Sequence, residues 1–287
     1  MTLGEVRKFY AEEVRLAAPL HMRELADAFA RVPREDYLGP GPWQIALADI
    51  GMGASYVSTD DAEPRHVYHN VSVAIDTSRH LINGQPATVG RWIDELAIEP
   101  SNRVFHLGCG SGYYTAIMAE LVSPAGQVIA SEVDDELAAR AKSNLSRYPH
   151  VTVAASDGAV FDPGMCDAML INAGVTLPLP IWLDRLRDGG RVILPLTIAT
   201  GPTLGKGMIV KITRVREGFL ARTIGFVMIY SCASARNPQV EPSLAKALST
   251  GALLKMASAR RDAHEPRETC IVHGPQVCLS SVSMLQT

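Results

Sequence analysis

The sequence predicts an α/β fold built on a doubly wound sheet, and three observations predict it. Residues 104–107 (VFHL) have the length and the β-branched or aromatic character of a short buried strand. They run into Gly108-Cys109-Gly110-Ser111-Gly112 and then into Tyr113–Val122, a helix-length segment rich in Ala, Ile, Met and Leu. Further strand-like runs then alternate with helical ones, the pattern of a parallel sheet with helical crossovers.

Strand, glycine turn and helix open a nucleotide-binding βαβ unit. Glycines let the backbone turn tightly and approach a ligand, and the helix N-terminus offers unpaired N–H groups. A glycine turn alone is a weak signal. Residues 127–131 (QVIAS) read as the next strand, and Glu132 stands at its end with Val133 beside it. That is about 20 residues past the glycines, where an acidic side chain receives ribose hydroxyls. Alone, Glu132 reads equally well as a surface acid capping a helix over 134–145. With the glycine turn, a cofactor site is the better reading. A nicotinamide dinucleotide is disfavoured, because the spacing is G-x-G-x-G and Tyr113 stands where the dinucleotide fingerprint has its third glycine.

Val151–Ala155 reads as a third strand ending in Ser156-Asp157-Gly158, residues 166–172 as a fourth ending at Asn172, and Gly189-Gly190-Arg191 as the turn into a fifth. Asn172 either faces the transferring group or simply ends its strand. Residues 208–214 and 220–230 read as two strands about a Glu217-Gly218 turn. This succession resembles the class I, Rossmann-like S-adenosylmethionine-dependent methyltransferases. Within them, HLGCGSGYYTAIMAELV, the Ser156-Asp157-Gly158 site and GGRVILP look most like the protein-L-isoaspartate (D-aspartate) O-methyltransferases. The similarity runs over about residues 20–235 and is strong over 100–196. It implies a sheet closed by an antiparallel hairpin, preceded by N-terminal helices. It also implies S-adenosyl-L-methionine as cofactor, held by Gly108, Cys109, Gly110, Ser111, Gly112 and Tyr113 at its methionine end. Glu132 and Val133 would meet the ribose, Asp157 and Gly158 the adenine, with Asn172 nearby.

The acceptor side departs from the family. Where the family carries an I-S-Q-P segment with an acceptor-site serine, this chain has Ile82-Asn83-Gly84-Gln85-Pro86, with Gly84 in the serine's place. Where the family often has an aspartate in Y-x-D, this chain has Tyr68-His69-Asn70. Asn83, Gln85 and Thr88 are the nearest polar replacements and the candidate catalytic, acceptor-side residues. No His–Asp or Lys–Asp–Lys constellation lies near the cofactor motifs, which suits a carboxylate acceptor that is already ionised. The expected activity is therefore O-methylation of a carboxylate, first on an isoaspartyl-type protein or peptide and otherwise on a small molecule. The altered acceptor motif leaves open a specialised enzyme for a small metabolite or biosynthetic peptide, at O or N. More remotely, the chain binds S-adenosylmethionine without catalysis.

The rest of the chain bounds these readings. Its 287 residues suffice for one sizeable α/β domain with additions, at 47% hydrophobic and 20% charged. We expect an acceptor-side helical and loop segment over 1–80, the methyltransferase domain over 81–235 and a helical and hairpin appendage over 236–287. A net charge of −3 without a basic run gives no reason to expect nucleic acid. No apolar stretch reaches the roughly 18 residues of a membrane span. The N-terminus shows neither an apolar core nor a cleavage site, and five cysteines without framework spacing suit a reducing interior, so a cytoplasmic location is expected.

Periodic apolar residues over 3–31, divided by Pro19, predict two helices, followed by a Pro/Gly-rich turn. The A-F-x-x-V-P-R-E stretch that ends the second resembles the family's N-terminal brace. Gly51 and Gly53 suggest loop, 67–75 a strand, 89–96 a helix, 181–186 a helix and 242–261 further helix. His66, His69 and His80 match no metal-ligand spacing. In the tail, His264, Cys270, His273 and Cys278 have donors that suit zinc, but irregular spacing. The same stretch reads as a two-strand hairpin about Gly274-Pro275. No metal is assigned there, and the appendage is expected to cover the acceptor pocket or to make an oligomer contact.

Overall fold

The computed structural model describes residues 1–47 and 55–283. Gly51 and Gly53 lie outside the described residues. The chain divides into two compact units, Met1–Ser101 with Cys109–Ala155, and Asn102–Gly108 with the chain from Ser156 onward.

In the first unit, α1 (Leu3–Ala17) begins with a reciprocal capping box. The Thr2 N–H donates to Glu5 Oε2 at 2.7 Å, and the Glu5 N–H to Thr2 Oγ1 at 3.3 Å. Helix α2 (Arg23–Arg31) lacks a side-chain cap of its own, and Asp94 accepts the His21 and Met22 N–H groups just ahead of it. The two helices bury Tyr10, Val14, Leu25 and Phe29 completely. Strands β1 (Gln44–Ala46), β2 (Tyr56–Ser58), β3 (Ser72–Asp76) and β4 (Leu81–Asn83) form a four-stranded antiparallel sheet in the order β2-β1-β3-β4. The strand expected over 67–75 starts only at Ser72. Pro64 opens a 3-10 turn over Pro64–Val67, and the carbonyls of Val67, His69 and Val71 are taken by a buried arginine instead of a ladder partner.

Helix α3 (Pro86–Leu96) begins earlier than position 89 because Pro86 supplies the preset φ of a first helical residue and Asn70 Oδ1 accepts the Ala87 N–H at 2.8 Å. The chain then passes through β5 (Arg103–Leu107) of the other unit. It returns as α4 (Tyr113–Val122), β6 (Gln127–Glu132), α5 (Asp135–Asn144) and β7 (Val151–Ala155). Asp134 caps α5 by accepting the Leu137 N–H at 2.9 Å, and β6 and β7 pair in parallel from Val128↔Val151 to Glu132↔Ala155.

In the second unit, β8 (Cys166–Ile171) lies between β5 and β9 (Leu186–Ala199) and is parallel to both. The intervening α6 (Pro180–Asp184) stops before Leu186, which already belongs to β9. Strands β10 (Leu204–Val215) and β11 (Gly218–Tyr230) make the expected antiparallel hairpin. The sheet does not end there. After α7 (Glu241–Ser249) come β12 (Ser258–Arg260), β13 (Cys270–His273) and β14 (Cys278–Ser280), continuing the order β11-β12-β14-β13. The helix expected over 242–261 is thus cut short. Gly251 takes φ +71°, a short 3-10 turn follows, and β12 pairs with the start of β11, at Phe219 and Leu220.

His106, on β5, is completely buried, and burial pushes its imidazole down to about 3. The unfolded chain binds a proton there below about pH 6.5 that the folded chain refuses. Stability is therefore fully present above that pH and is lost as the pH falls toward 3, by up to about 1.4 kcal/mol per pH unit. Urea titrations of wild type and His106→Met across this range should show the slope reduced by about one proton's worth in the variant. Equal slopes would refute the assignment.

Candidate functional site

In the first unit the glycine turn and the end of β6 meet through one carboxylate. Glu132 is 7% exposed, and Oε2 accepts the Gly110 N–H at 2.8 Å. Oε1 accepts the N–H groups of Val133 and Asp134 at 3.0 and 3.2 Å. Three backbone donors therefore fix the side chain. They hold an anion at the strand end, as a ribose diol requires. Gly112 ends the turn at φ +95°, where an added Cβ would meet Leu145 Cδ1 at 2.9 Å, so only glycine lets α4 start here. A Cβ on Gly110 would meet nothing closer than 3.9 Å, so the backbone there lies open to a ligand. Ser111 Oγ and Ser131 Oγ are buried with no hydrogen-bond partner among the described residues. An anion at the strand end, an open glycine backbone and two unsatisfied hydroxyls fit a nucleoside-bearing cofactor.

Cys109 is no nucleophile, since burial, and then the charge of Glu132, push its thiol up. Tyr113 is fully buried among aromatic neighbours, its hydroxyl 3.0 Å from that of Tyr10 and its ring 5.7 Å from that of Tyr37. That packing explains a tyrosine where a dinucleotide fold keeps glycine. Burial pushes the Tyr10, Tyr113 and Tyr114 hydroxyls up, so none is ionised near neutrality.

The candidate acceptor residues are tied into one network, and its centre is Arg34, which sequence reasoning left as part of a brace. Arg34 is completely buried. Its guanidinium donates to five oxygens, those of the Val67, His69, Val71 and Gly84 carbonyls and Asn83 Oδ1, at 2.8–3.5 Å. Asn83 is buried, with its Oδ1 committed to Arg34. Gln85 donates from Nε2 to the Asn70 carbonyl at 2.9 Å and accepts from Thr88 Oγ1 at 2.9 Å. Gly84, with no side chain to offer, accepts the Tyr114 hydroxyl at its carbonyl at 2.5 Å. Asn70, where the family often has aspartate, caps α3.

Val133 is 71% exposed beside Glu132, an apolar side chain left bare at the strand end. His66 pairs with Asp61 at 2.9 Å and His80 with the Tyr56 hydroxyl at 3.3 Å.

In the second unit, Asp157 Oδ1 accepts the Ala159 N–H at 2.9 Å and the Gly158 carbonyl accepts Trp182 Nε1–H at 3.1 Å, which sets the Asp-Gly turn. Asn172 follows β8, and its Nδ2 donates to the Gly108 carbonyl at 3.3 Å.

Residues 12–206 match the profile described as protein-L-isoaspartate(D-aspartate) O-methyltransferase. A protein-L-isoaspartate O-methyltransferase of Methanopyrus kandleri is 34% identical over 195 residues, covering 66% of this chain and 76% of that protein. One of Aeropyrum pernix is 29% identical over 197 residues, 67% of each chain. A solved structure of a protein-L-isoaspartate O-methyltransferase superposes with a TM-score of 0.61 at 18% identity, covering 84% of this chain and 69% of that one. A beta-aspartate methyltransferase structure from Plasmodium falciparum, in complex with S-adenosyl-L-homocysteine, superposes with a TM-score of 0.60 at 17% identity, covering 79% and 98%. These structures share the Rossmann-like fold. With more than half its length inside the match, the chain belongs to the protein-L-isoaspartate (D-aspartate) O-methyltransferase family, an enzyme family that uses S-adenosylmethionine.

Proposed function

We propose that the chain methylates the carboxylate of an isoaspartyl-type residue in a peptide or protein. The observation that carries this reading is the chemistry of the acceptor segment. Asn83, Gly84, Gln85 and Thr88 offer amide, backbone and hydroxyl groups but no base, and burial holds the neighbouring Tyr114 phenol protonated. A carboxylate, with an ordinary pKa of about 4, is already the nucleophile and needs no base, whereas an ammonium or phenol acceptor would need one.

When bound, S-adenosylmethionine supplies a sulfonium methyl, which an in-line displacement passes to the acceptor oxygen. The residues of the chain hold and orient. Glu132 would take the ribose hydroxyls, the backbone from Cys109 to Tyr113 the methionine end, and the exposed Val133 would give apolar contact. From the resemblance, Asp157 and Gly158 would be the residues toward the adenine, with Asn172 a further candidate. Orientation of this kind contributes up to about 7–11 kcal/mol of barrier reduction. On the acceptor side, the amide N–H groups of Asn83 and Gln85 are the donors a carboxylate would meet in the absence of the family's serine. The Thr88 hydroxyl donates a hydrogen bond to Gln85 Oε1 and so positions that amide.

No helix is long and apolar enough to cross a membrane among the described residues. None of the five cysteines is in a disulfide, which supports a reducing, cytoplasmic setting. The test is turnover with radiolabelled S-adenosylmethionine, an isoaspartyl peptide and its normal-aspartyl twin. Base-labile label on the isoaspartyl peptide alone is the expected result. No transfer from an enzyme that still binds S-adenosylhomocysteine by calorimetry would overturn the acceptor assignment and leave the cofactor site standing.

A further inference from the structure

The tail beyond residue 206, where the family match stops, gathers four ligand-type side chains that the chemistry above does not use. His264 lies in the loop ahead of β13, Cys270 and His273 begin and end β13, and Cys278 opens β14. The hairpin register sets His273 directly opposite Cys278, and a bulge after Cys270 shifts the register on the same strand. The four ligand atoms, two sulfurs and two imidazole nitrogens, all lie within 4.8 Å of one another. A tetrahedral zinc with Zn–N near 2.0 Å and Zn–S near 2.3 Å places its donors about 3.3–3.8 Å apart, so the cluster is within about 1 Å of that geometry.

The surroundings are arranged as ligation requires. His264 Nδ1–H donates to the Asp262 carbonyl at 2.8 Å, which leaves the Nε2 lone pair facing Cys270 Sγ at 3.5 Å. The Arg267 N–H donates to Cys270 Sγ at 3.3 Å, a contact that favours a thiolate. His273 Nδ1 is buried with no hydrogen-bond partner among the described residues, a cost that a metal bond would remove. A surface cavity of about 400 Å³ borders His264, His273 and Cys278 and provides a path of entry.

We propose that His264, Cys270, His273 and Cys278 form a tetrahedral structural zinc site that fastens the tail. Four protein ligands leave no open position for substrate, so the role is structural. The need is physical. Strands β12, β13 and β14 have three, four and three residues at the end of the sheet, where few ladder bonds hold them and a staple adds most. Zinc is the ion selected, because two thiolates and two imidazoles are soft and borderline donors that disfavour magnesium or calcium.

The experiment uses the full chain, purified under reducing conditions without chelator, with metal content by mass spectrometry and thiols counted in parallel. About one zinc per chain is expected. Cobalt loaded into the wild type should give thiolate charge-transfer bands and the intense visible bands of a tetrahedral ion. Cys270→Ser, Cys278→Ser and His273→Gln should each weaken zinc retention by at least ~10–100-fold, the range already produced by outer-shell changes. Cys232→Ser, a thiol outside the cluster, should retain the metal. The wild-type measurements decide the matter even where a variant fails to fold. Reduced protein with every thiol titratable, no zinc and no cobalt spectrum would overturn the site. So would freshly isolated protein with Cys270 and Cys278 joined in a disulfide.

Discussion

Glu132→Gln is expected to weaken S-adenosylhomocysteine binding about 10–150-fold, measured by calorimetry, with the fold retained by circular dichroism. The range follows from one charge-assisted hydrogen bond of about 1.5–3 kcal/mol. Glutamine keeps the length and shape of the side chain, so the change is largely one of charge. Glu132 accepts from Gly110, Val133 and Asp134. A glutamine presents one NH2 group where an oxygen had accepted, so one of these contacts becomes donor against donor. Two effects therefore act in the same direction, loss of the anion that a ribose diol would meet and loosening of the glycine turn. Unchanged affinity would reduce Glu132 to a brace for the turn and refute its role toward the cofactor.

The legibility of this chain follows the range of the interactions involved. The glycine turn and the strand-end acid are local features, because positive φ at Gly108, Gly110 and Gly112 is a demand on single residues that the sequence states openly. The sheet of β1 to β4 was not legible. Its strands β1, β2 and β4 have three residues each, too few to show a period of two. Asn70 reads as a departure from the family's aspartate, and only the folded chain shows that its oxygen caps α3. The tail was legible in part. The hairpin about Gly274-Pro275 forms as read, while the irregular spacing of His264, Cys270, His273 and Cys278 concealed how close they come, because a strand register, not a sequence interval, brings His273 to Cys278. Arg34 was missed for the converse reason. The stretch around Pro33 and Glu35 reads only as a brace, and the central role of its arginine depends on carbonyls more than thirty residues away.

Arg34 carries the other large expected effect. Arg34→Met, of similar length but without donors, should destabilise the protein by about 3–5 kcal/mol in urea titrations, because several buried acceptors lose their donor at about 1–3 kcal/mol each and water can replace only part of it. Val67, His69, Val71 and Gly84 would each keep a carbonyl turned toward the vacated guanidinium, and buried acceptors without donors are costly. Arg34→Lys should recover only part of the loss, because one ammonium cannot reach oxygens spread around a planar fork. The same variant separates positioning from mere stability. Arg34 fixes the carbonyls on both sides of Asn70 and the Asn83-Gly84 pair, and the amides of Asn83 and Gln85 take their places from these segments. In folded Arg34→Lys the acceptor KM should therefore rise by more than S-adenosylhomocysteine affinity falls, since among the described residues the Glu132 carboxylate has no hydrogen bond to this network and Arg34 meets the glycine segment through the ring of Tyr113. Equal losses on both sides would mean that Arg34 supports the unit as a whole. A wild-type KM would separate the network from the acceptor.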